Sequence, residues 1–248
     1  MYEPTKRAED VAKVVCDGDR RKYYRFRPTR FYGGIATADC VGCCLRCIFC
    51  WSWREVVRPE SYGEFYSPEE VSGRLVQIAS KKRFTQIRIS GNEPTIGREH
   101  LIKVLELIPT DIQFILETNG ILIGHDKTYA EDLSRFENLY VRVSLKGTNE
   151  EEFTALTGAE PSGFTLQLQA LDNLYWAGVN VHPAAMVSFS PRENIQALAK
   201  RLRRIHRSFG DVEIEELVLY GDVEERLRSA KIGYGRAYDP REIPPEQV

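Results

Sequence analysis

A cysteine-rich loop lies near the start of the chain and reads Cys43-Cys44-Leu45-Arg46-Cys47-Ile48-Phe49-Cys50. Three of its cysteines, Cys43, Cys47 and Cys50, follow the spacing C-x3-C-x2-C. Three thiolates on one short loop can converge on a soft metal centre, whereas three is an awkward number for disulfides and too few for a four-coordinate zinc site. The spacing therefore predicts a metal centre that keeps one position free for another molecule.

The composition excludes several classes of protein. The 248 residues are 42% apolar and 28% charged, enough to bury one sizeable core, and we expect a single α/β domain. The net charge of −2 provides no global basic field that would draw the chain to nucleic acid, although RNA stays open as a substrate. The sequence has no apolar signal region at its start and no run of about 18 apolar residues. We therefore expect a soluble, cytoplasmic protein without a membrane partner.

Segments with strand and helix patterns alternate along the chain. Short apolar runs predict six strands, at 33–39, 86–90, 112–117, 139–145, 179–189 and 212–220. Helical spacing of apolar residues predicts helices at 67–82, 101–108, 126–136, 149–157, 164–177 and from 190 onward. Ser67 and Ser190 each begin a capping box. The alternation predicts a parallel sheet with helical crossovers, in which the strand ends carry the ligand-binding loops.

The cysteine loop resembles the signature of the radical S-adenosylmethionine superfamily, with Phe49 as the aromatic residue before the last cysteine. In that superfamily three cysteines hold a [4Fe-4S] cluster, and the fourth iron chelates S-adenosylmethionine before reductive cleavage to a 5'-deoxyadenosyl radical. The resemblance implies that Cys43, Cys47 and Cys50 ligate the cluster and that Phe49 packs against the cofactor. It also implies a partial (β/α)6 barrel, similar to a TIM barrel and open on one side for substrate.

A second motif follows the predicted strand at 86–90. Gly91-Asn92-Glu93-Pro94 resembles the Gly-Gly-Glu-Pro motif of the superfamily, with Asn92 replacing the second glycine. In relatives this loop meets the amino group of the cofactor. The resemblance therefore assigns cofactor binding to Gly91, Asn92 and Glu93, and the carboxylate of Glu93 is the natural acceptor for an ammonium group.

Two more strand-end motifs resemble the activating enzymes for glycyl-radical proteins, a subgroup typified by pyruvate formate-lyase activating enzyme. That subgroup has Thr-Asn-Gly and Asp-Leu-Lys at positions where this chain has Thr118-Asn119-Gly120 and Ser144-Leu145-Lys146. The resemblance implies that Thr118, Asn119, Ser144 and Lys146 help to hold the cofactor, with Lys146 meeting its carboxylate or ribose oxygens. Because Ser144 replaces the aspartate of the subgroup, we expect no contact at this position that depends on the negative charge of a carboxylate.

The resemblance divides the chain into an N-terminal extension at 1–30, a catalytic core at 31–222 and a C-terminal tail at 223–248. It implies an oxidoreductase that takes one electron from an external reductant and abstracts hydrogen from its substrate. The subgroup suggests a glycine of a partner protein, a glycyl-radical enzyme, as the target. A peptide, an RNA or a cofactor precursor stays open as the alternative substrate.

The other cysteines leave a second interpretation open. Cys40-x2-Cys43 and Cys47-x2-Cys50 can also be paired as a compact four-thiolate zinc site, although only three residues separate the pairs. A non-catalytic zinc or iron–sulfur module is therefore the alternative to an enzyme. In the enzyme interpretation we expect Cys44 to point away from the metal and Cys40 to be buried at the strand end.

The segment 20–28 is basic and aromatic and reads Arg20-Arg21-Lys22-Tyr23-Tyr24-Arg25-Phe26-Arg27-Pro28. It has two interpretations: a patch that faces phosphate or a partner, or an extension that packs its aromatic rings on the core and keeps its arginines outside. Cys16, just before it, is isolated, and an isolated cysteine is more often a small buried apolar residue than a ligand. The four histidines are dispersed and form no metal motif.

Overall fold

The structure is a computed structural model that describes residues 1–244. Its strands are β1 (Cys16–Asp17), β2 (Arg20–Thr29), β3 (Ile35–Cys40), β4 (Glu64–Tyr66), β5 (Gln86–Gly91), β6 (Gln113–Thr118), β7 (Leu139–Leu145), β8 (Asn180–Met186), β9 (Glu213–Glu215), β10 (Leu217–Val218) and β11 (Ala237–Tyr238). Its α-helices are α1 (Pro4–Val15), α2 (Trp53–Val57), α3 (Pro68–Lys82), α4 (Arg98–Leu107), α5 (Ile121–His125), α6 (Lys127–Leu133), α7 (Glu150–Thr157), α8 (Ser162–Trp176), α9 (Arg192–Ile205) and α10 (Val223–Ser229).

Six parallel strands, β3-β5-β6-β7-β8-β9, form the centre of a larger mixed sheet. They correspond in order to the six strands predicted from sequence. In residues 1–244 the two outer members, β3 and β9, do not pair with each other, so the barrel stays open on one side. The predicted α/β fold, a partial (β/α)6 barrel similar to a TIM barrel, is confirmed.

The two faces of this sheet differ sharply in polarity. Strand residues on the outward face lie under the helices, are fully buried and include Ala36, Ala38, Ile87, Ile89, Phe114, Leu116, Val141 and Val143. Burial of each larger apolar side chain stabilises the fold by about 1.5–3 kcal/mol. Strand residues on the concave face include Thr37, Asp39, Arg88, Ser90, Glu117, Arg142, Ser144, His182, Glu213 and Glu215. Packing thus holds the sheet from outside, and the polar interior is left for binding.

The N-terminal segment adds strands to this sheet. β2 pairs antiparallel with β3 and also with β1 and β4. The segment 20–28 packs Tyr23 and Phe26 on the core, as in the second interpretation, but Arg21 is buried rather than outside, and Arg25 and Arg27 lie opposite Asp39 and Thr37 on the concave face. A contact of this segment with phosphate or a partner stays a prediction. The boundary at residue 30 stays a prediction.

The C-terminal part differs from the predicted sixth strand at 212–220. Only three of its residues form β9, and the chain then leaves the sheet to form β10, which pairs in parallel with β11. α10 lies between these two strands in the sequence. The predicted tail at 223–248 is therefore structured at least in part, and its last four residues lie outside the described range.

One local prediction about a helix is wrong, and two are confirmed. Ser67 caps α3 in a complete capping box, as predicted. Ser190 does not cap α9, because its hydroxyl donates instead to the carboxylate of Glu152 at 2.6 Å. The helix predicted at 126–136 is present as α6, which the Asp126 side chain caps and which ends earlier than predicted, at Leu133. The short helix α5, which ends just before Asp126, was not predicted. Among residues 1–244, no helix is both long enough and apolar enough to cross a membrane.

Candidate functional site

Four predicted loops meet at the carboxyl edge of the parallel sheet. Strand register places the end of β3 beside the end of β5, because Cys40 pairs with Gly91. A Cβ on Gly91 would lie only 2.8 Å from the Cys40 backbone nitrogen, and Gly91 also has a positive φ of 97°, so glycine is required at this close approach. The Asn92 side chain accepts from the Gly42 backbone nitrogen at 2.7 Å and donates to the Ser52 hydroxyl at 2.7 Å. The 91–95 loop is thereby joined to both ends of the cysteine loop.

The three predicted metal ligands lie together on the cysteine loop, residues 43–50. Burial raises the pKa of the Cys47 and Cys50 thiols, while the nearby charge of Lys146 acts in the opposite direction on both. A hydrogen bond from Cys44 lowers the pKa of Cys43, whose sulfur also accepts from the Leu45 backbone nitrogen at 3.3 Å. The loop therefore provides thiols that affect one another electrostatically, and Lys146 at the end of β7 provides a cation that favours their ionised form.

The remaining cysteines do not complete a zinc site. Cys40 lies on the outward face of β3, fully buried in the core, and burial raises its pKa to about 12. The prediction that Cys44 points away from the metal ligands is wrong, because the Asn119 amide nitrogen lies 3.3 Å from the Cys44 sulfur and 3.5 Å from that of Cys43. In residues 1–244 no three His, Cys, Asp or Glu side chains are already arranged to hold a metal ion.

The carboxylate of Glu93 joins two of the strand-end loops. It is fully buried and accepts hydrogen bonds from the Thr95 backbone nitrogen (3.2 Å), the Thr95 hydroxyl (2.6 Å), the Thr118 hydroxyl (2.6 Å) and the Asn119 backbone nitrogen (2.8 Å). The Glu93 carbonyl accepts from buried Arg21 at 3.3 Å. Four donors leave little capacity for a further ammonium, so the geometry gives Glu93 a positioning role. Its predicted contact with a cofactor stays a prediction.

A glutamine that the sequence analysis missed connects the third and fourth loops. Gln167 on α8 is fully buried; it donates to the carbonyls of Asn119 (2.6 Å) and Ser144 (3.0 Å) and accepts from the Lys146 backbone nitrogen at 3.1 Å. Its position in a helix, away from any strand end, gave no signal of this role. The Lys146 ammonium donates to the Ser144 hydroxyl, which donates to Glu215 at 2.8 Å. The predicted pair, Ser144 and Lys146, is therefore connected to a carboxylate on β9.

Ion pairs line the concave face below these loops. The Arg142 guanidinium binds both Glu213 and Glu215 at 2.6 Å, and Glu213 also contacts His182 at 2.5 Å. Burial by itself raises the pKa of Glu117, but the charges of Arg88 and Arg142 outweigh it and hold that pKa at about 2. These carboxylates are therefore ionised at neutral pH, and the concave face is a preorganised polar surface.

The C-terminal segment contacts the cysteine loop directly, which the sequence did not indicate. The Arg226 guanidinium on α10 donates to the carbonyls of Ile48 (3.0 Å) and Cys50 (2.5 Å). Phe49 packs against Phe189 with ring centroids 5.3 Å apart. From the other end of the chain, the Tyr2 hydroxyl accepts from the Arg46 backbone nitrogen at 2.8 Å. The loop is thus held from both ends of the sequence.

Replacement of Arg226 by glutamine is expected to loosen the cysteine loop. Each lost charge-assisted hydrogen bond removes about 1.5–3 kcal/mol, enough to lower Tm by about 4 °C or more in a protein of this size. Cys50 should also react faster with a thiol reagent, as measured by timed alkylation and mass spectrometry. Arg228→Gln, an exposed residue on the same helix, is the matched control. Equal alkylation rates in both variants would contradict the role of Arg226.

The residues present fit an iron–sulfur cluster better than a closed zinc site. Three thiols lie on one loop, the buried Cys40 points to the opposite face of its strand, and a fourth protein donor from the loop is not needed when a small molecule takes the last position. Asn119 donates to the sulfur of Cys43, the type of hydrogen bond that tunes cluster ligands. The donor set therefore agrees with the first interpretation of the sequence.

Comparisons with known proteins give the same result. The model of the Radical SAM superfamily matches residues 39–205, more than half of the chain. A probable GTP 3',8-cyclase of Thermococcus kodakarensis is 34% identical over 119 residues, which is 48% of this chain but only 36% of that protein. The chain therefore spans about a third of this curated relative.

Solved structures share the fold at low sequence identity. SuiB of Streptococcus suis, bound to the precursor peptide SuiA, has a TM-score of 0.57 and 19% identity over 82% of this chain and 42% of its own. A point mutant of spore photoproduct lyase has a TM-score of 0.53 and 14% identity over 77% of this chain and 58% of its own. SuiB has also been solved bound to S-adenosylmethionine. The activating-enzyme subgroup stays a prediction, but the chain belongs to the radical SAM superfamily, whose cofactors are a [4Fe-4S] cluster and S-adenosylmethionine.

Proposed function

We propose that this chain is a radical SAM oxidoreductase that abstracts hydrogen from a substrate bound on the concave face of its barrel. The observation that carries the proposal is the meeting of four motif-bearing loops above a preorganised polar surface. When bound, the cluster and S-adenosylmethionine supply the one-electron reductive cleavage that yields a 5'-deoxyadenosyl radical. The protein supplies orientation and excludes water.

We assign separate tasks to the residues of the site. Cys43, Cys47 and Cys50 hold the cluster, and Asn119 donates to the first of these sulfurs. Phe49, packed against Phe189, covers the loop next to Cys50 and limits the access of water. Residues that bind or position S-adenosylmethionine, as the family resemblance implies, are Gly91, Asn92, Glu93, Thr118, Asn119, Ser144 and Lys146.

The choice of substrate follows from the charge of the concave face. The target implied by sequence, a glycine of a glycyl-radical enzyme, is neutral and carries no group that would make use of a polar, ionised lining. A charged small molecule suits this lining better, because its own charged groups would meet preoriented polar side chains, even though Arg142 and Glu215 already pair with each other. We therefore rank a charged small molecule, such as a cofactor precursor, ahead of a protein glycine. A nucleotide belongs to this class, and one relative is a probable GTP 3',8-cyclase.

The surroundings of the reaction follow from its chemistry. Cleavage of S-adenosylmethionine consumes one electron, which we propose is supplied by an external reductant. All six cysteines of the chain are free thiols. Because thiols and iron–sulfur clusters persist under reducing conditions, we propose that the protein works in the cytoplasm.

Anaerobic reconstitution with iron and sulfide tests the proposed function. We expect a brown, oxygen-sensitive protein that releases 5'-deoxyadenosine and methionine from S-adenosylmethionine after addition of dithionite. Liquid chromatography with mass spectrometry measures both products. A colourless protein that binds one zinc ion per chain and forms no 5'-deoxyadenosine would favour the non-catalytic module instead.

A further inference from the structure

The arginines of the concave face fall into two groups by their partners. All three guanidinium nitrogens of Arg142 bind the carboxylates of Glu213 and Glu215. Arg88 donates to Thr37 at 3.0 Å and to Glu117 at 2.7 Å, and its guanidinium carbon lies 4.8 Å from the ring centre of Phe31. These two side chains are nearly fully buried. Their charges are neutralised within the protein.

Arg25 and Arg27 have one carboxylate between them. Their Nε atoms donate to the same oxygen of Asp39, at 2.6 and 2.9 Å. Within residues 1–244 their Nη groups have no hydrogen-bond partner, although the side chains are only 40% and 29% exposed. Two guanidinium groups on one carboxylate leave one positive charge in excess. Because both Nε atoms share one oxygen, the two guanidinium groups meet at the Asp39 carboxylate.

An exposed indole lies beside this arginine pair. The guanidinium carbon of Arg25 is 5.4 Å from the ring centre of Trp51, whose side chain is 45% exposed. Trp51 directly follows Cys50 in the sequence. Asp39 is the second-to-last residue of β3, close to the point where this strand ends and the chain continues into the cysteine loop. The arginine pair therefore stands on the concave face, next to the loop that we assign to the cluster.

We propose that Arg25 and Arg27 bind an anionic group of the substrate, a phosphate or a carboxylate. Paired planar guanidinium groups match the oxygens of either group in bidentate fashion, and a concave wall focuses their field on an approaching anion. Asp39 keeps the pair aligned, which reduces the entropy lost on binding. The inference rests on the proposed function, because it assigns part of the substrate to the same concave face. The inference narrows the proposed substrates from charged small molecules in general to those that carry a phosphate or carboxylate group.

Isothermal titration calorimetry of the full chain with inorganic pyrophosphate, and separately with citrate, tests this inference. We expect saturable binding of at least one anion, and the tighter one distinguishes phosphate from carboxylate recognition. The variant Arg25→Gln/Arg27→Gln/Asp39→Asn should bind at least about tenfold more weakly, equivalent to about 1.4 kcal/mol. Asp39 is changed as well, because a buried carboxylate without partners would destabilise the fold.

Two further variants make the result decisive. Arg25→Lys/Arg27→Lys keeps both positive charges but removes the planar guanidinium groups, so we expect this variant to bind the anion more weakly than the wild type. It provides the test if the triple variant fails to fold. Arg204→Gln/Arg207→Gln removes two exposed arginines elsewhere and should leave binding unchanged. The inference is overturned if neither anion binds, or if the lysine variant binds like the wild type. Because release of 5'-deoxyadenosine by wild-type protein is measured separately, failure here is distinct from failure of the proposed function.

Discussion

Cys47→Ala protein is expected to fold and to bind no [4Fe-4S] cluster. A cluster held by three cysteines loses a coordinating thiolate in this variant, and alanine offers no replacement ligand. Burial of Cys47 in the loop makes rescue by water or buffer ligands ineffective. We expect the brown absorbance, the iron content and the release of 5'-deoxyadenosine to fall to background. Iron and sulfide assays, together with absorption spectra after anaerobic reconstitution, measure the loss.

The neighbouring cysteines provide the controls for this experiment. Cys40→Ala should keep the cluster, because Cys40 lies in the core on the outward face of β3. Cys44→Ala should also keep the cluster, although the cluster-free protein loses the hydrogen bond that the Cys44 thiol donates to Cys43. Loss of iron in either control would show that the ligand assignment is wrong. Iron retained in Cys47→Ala would have the same meaning.

Glu93→Gln protein is expected to keep its cluster and to bind S-adenosylmethionine at least about tenfold more weakly. The substitution preserves shape but replaces one acceptor oxygen by an NH2 group that faces existing donors, so at least one buried donor loses its partner at a cost of about 1–3 kcal/mol. The 91–95 loop and the Thr118-Asn119 loop then lose their common anchor. Equilibrium dialysis with labelled S-adenosylmethionine on iron-matched protein measures the change, and thermal unfolding measures the loss of stability.

Glu131→Gln is the matched control for this substitution. Glu131 is exposed on α6, and its change from carboxylate to amide should alter neither Tm nor affinity. If Glu93→Gln binds S-adenosylmethionine like the wild type, Glu93 does not position the cofactor loops. Loss of the cluster together with affinity would instead indicate that Glu93 supports the cysteine loop, whose Gly42 carbonyl accepts from the Glu93 backbone nitrogen.

The sequence was most informative about the strands and the loops that follow them. The runs at 86–90 and 139–145 have apolar residues flanked by turn residues, so local pattern and final structure agree. Parallel strands place their carboxyl ends on one edge, and the proximity of the Cys43, Glu93 and Asn119 motifs followed from that rule. The motifs could be placed because each lies directly after a strand.

Contacts between distant segments could not be read from local patterns. Ser190 has the sequence of a capping residue, but Glu152, folded close to it, competes successfully for its hydroxyl. The run predicted as strand six divides because part of it pairs with β11, about twenty residues later. Gln167 is one of several polar residues on α8, and only the tertiary structure shows the carbonyls that it binds. Such partners depend on three-dimensional neighbours that one sequence does not reveal.

The bonds from Arg226 to the cysteine loop bear on the order of events during biosynthesis. Arg226 is synthesised long after Cys50, and the two are 176 positions apart. A nascent chain on the ribosome therefore presents the three thiols before the guanidinium that fixes their backbone exists. Contacts so distant in sequence also form late, because closing the intervening chain is costly in entropy. Delivery of iron and sulfide is thus best timed after release of the polypeptide, and a chain that ends before α10 would lack the two bonds that hold the Cys50 end of the loop.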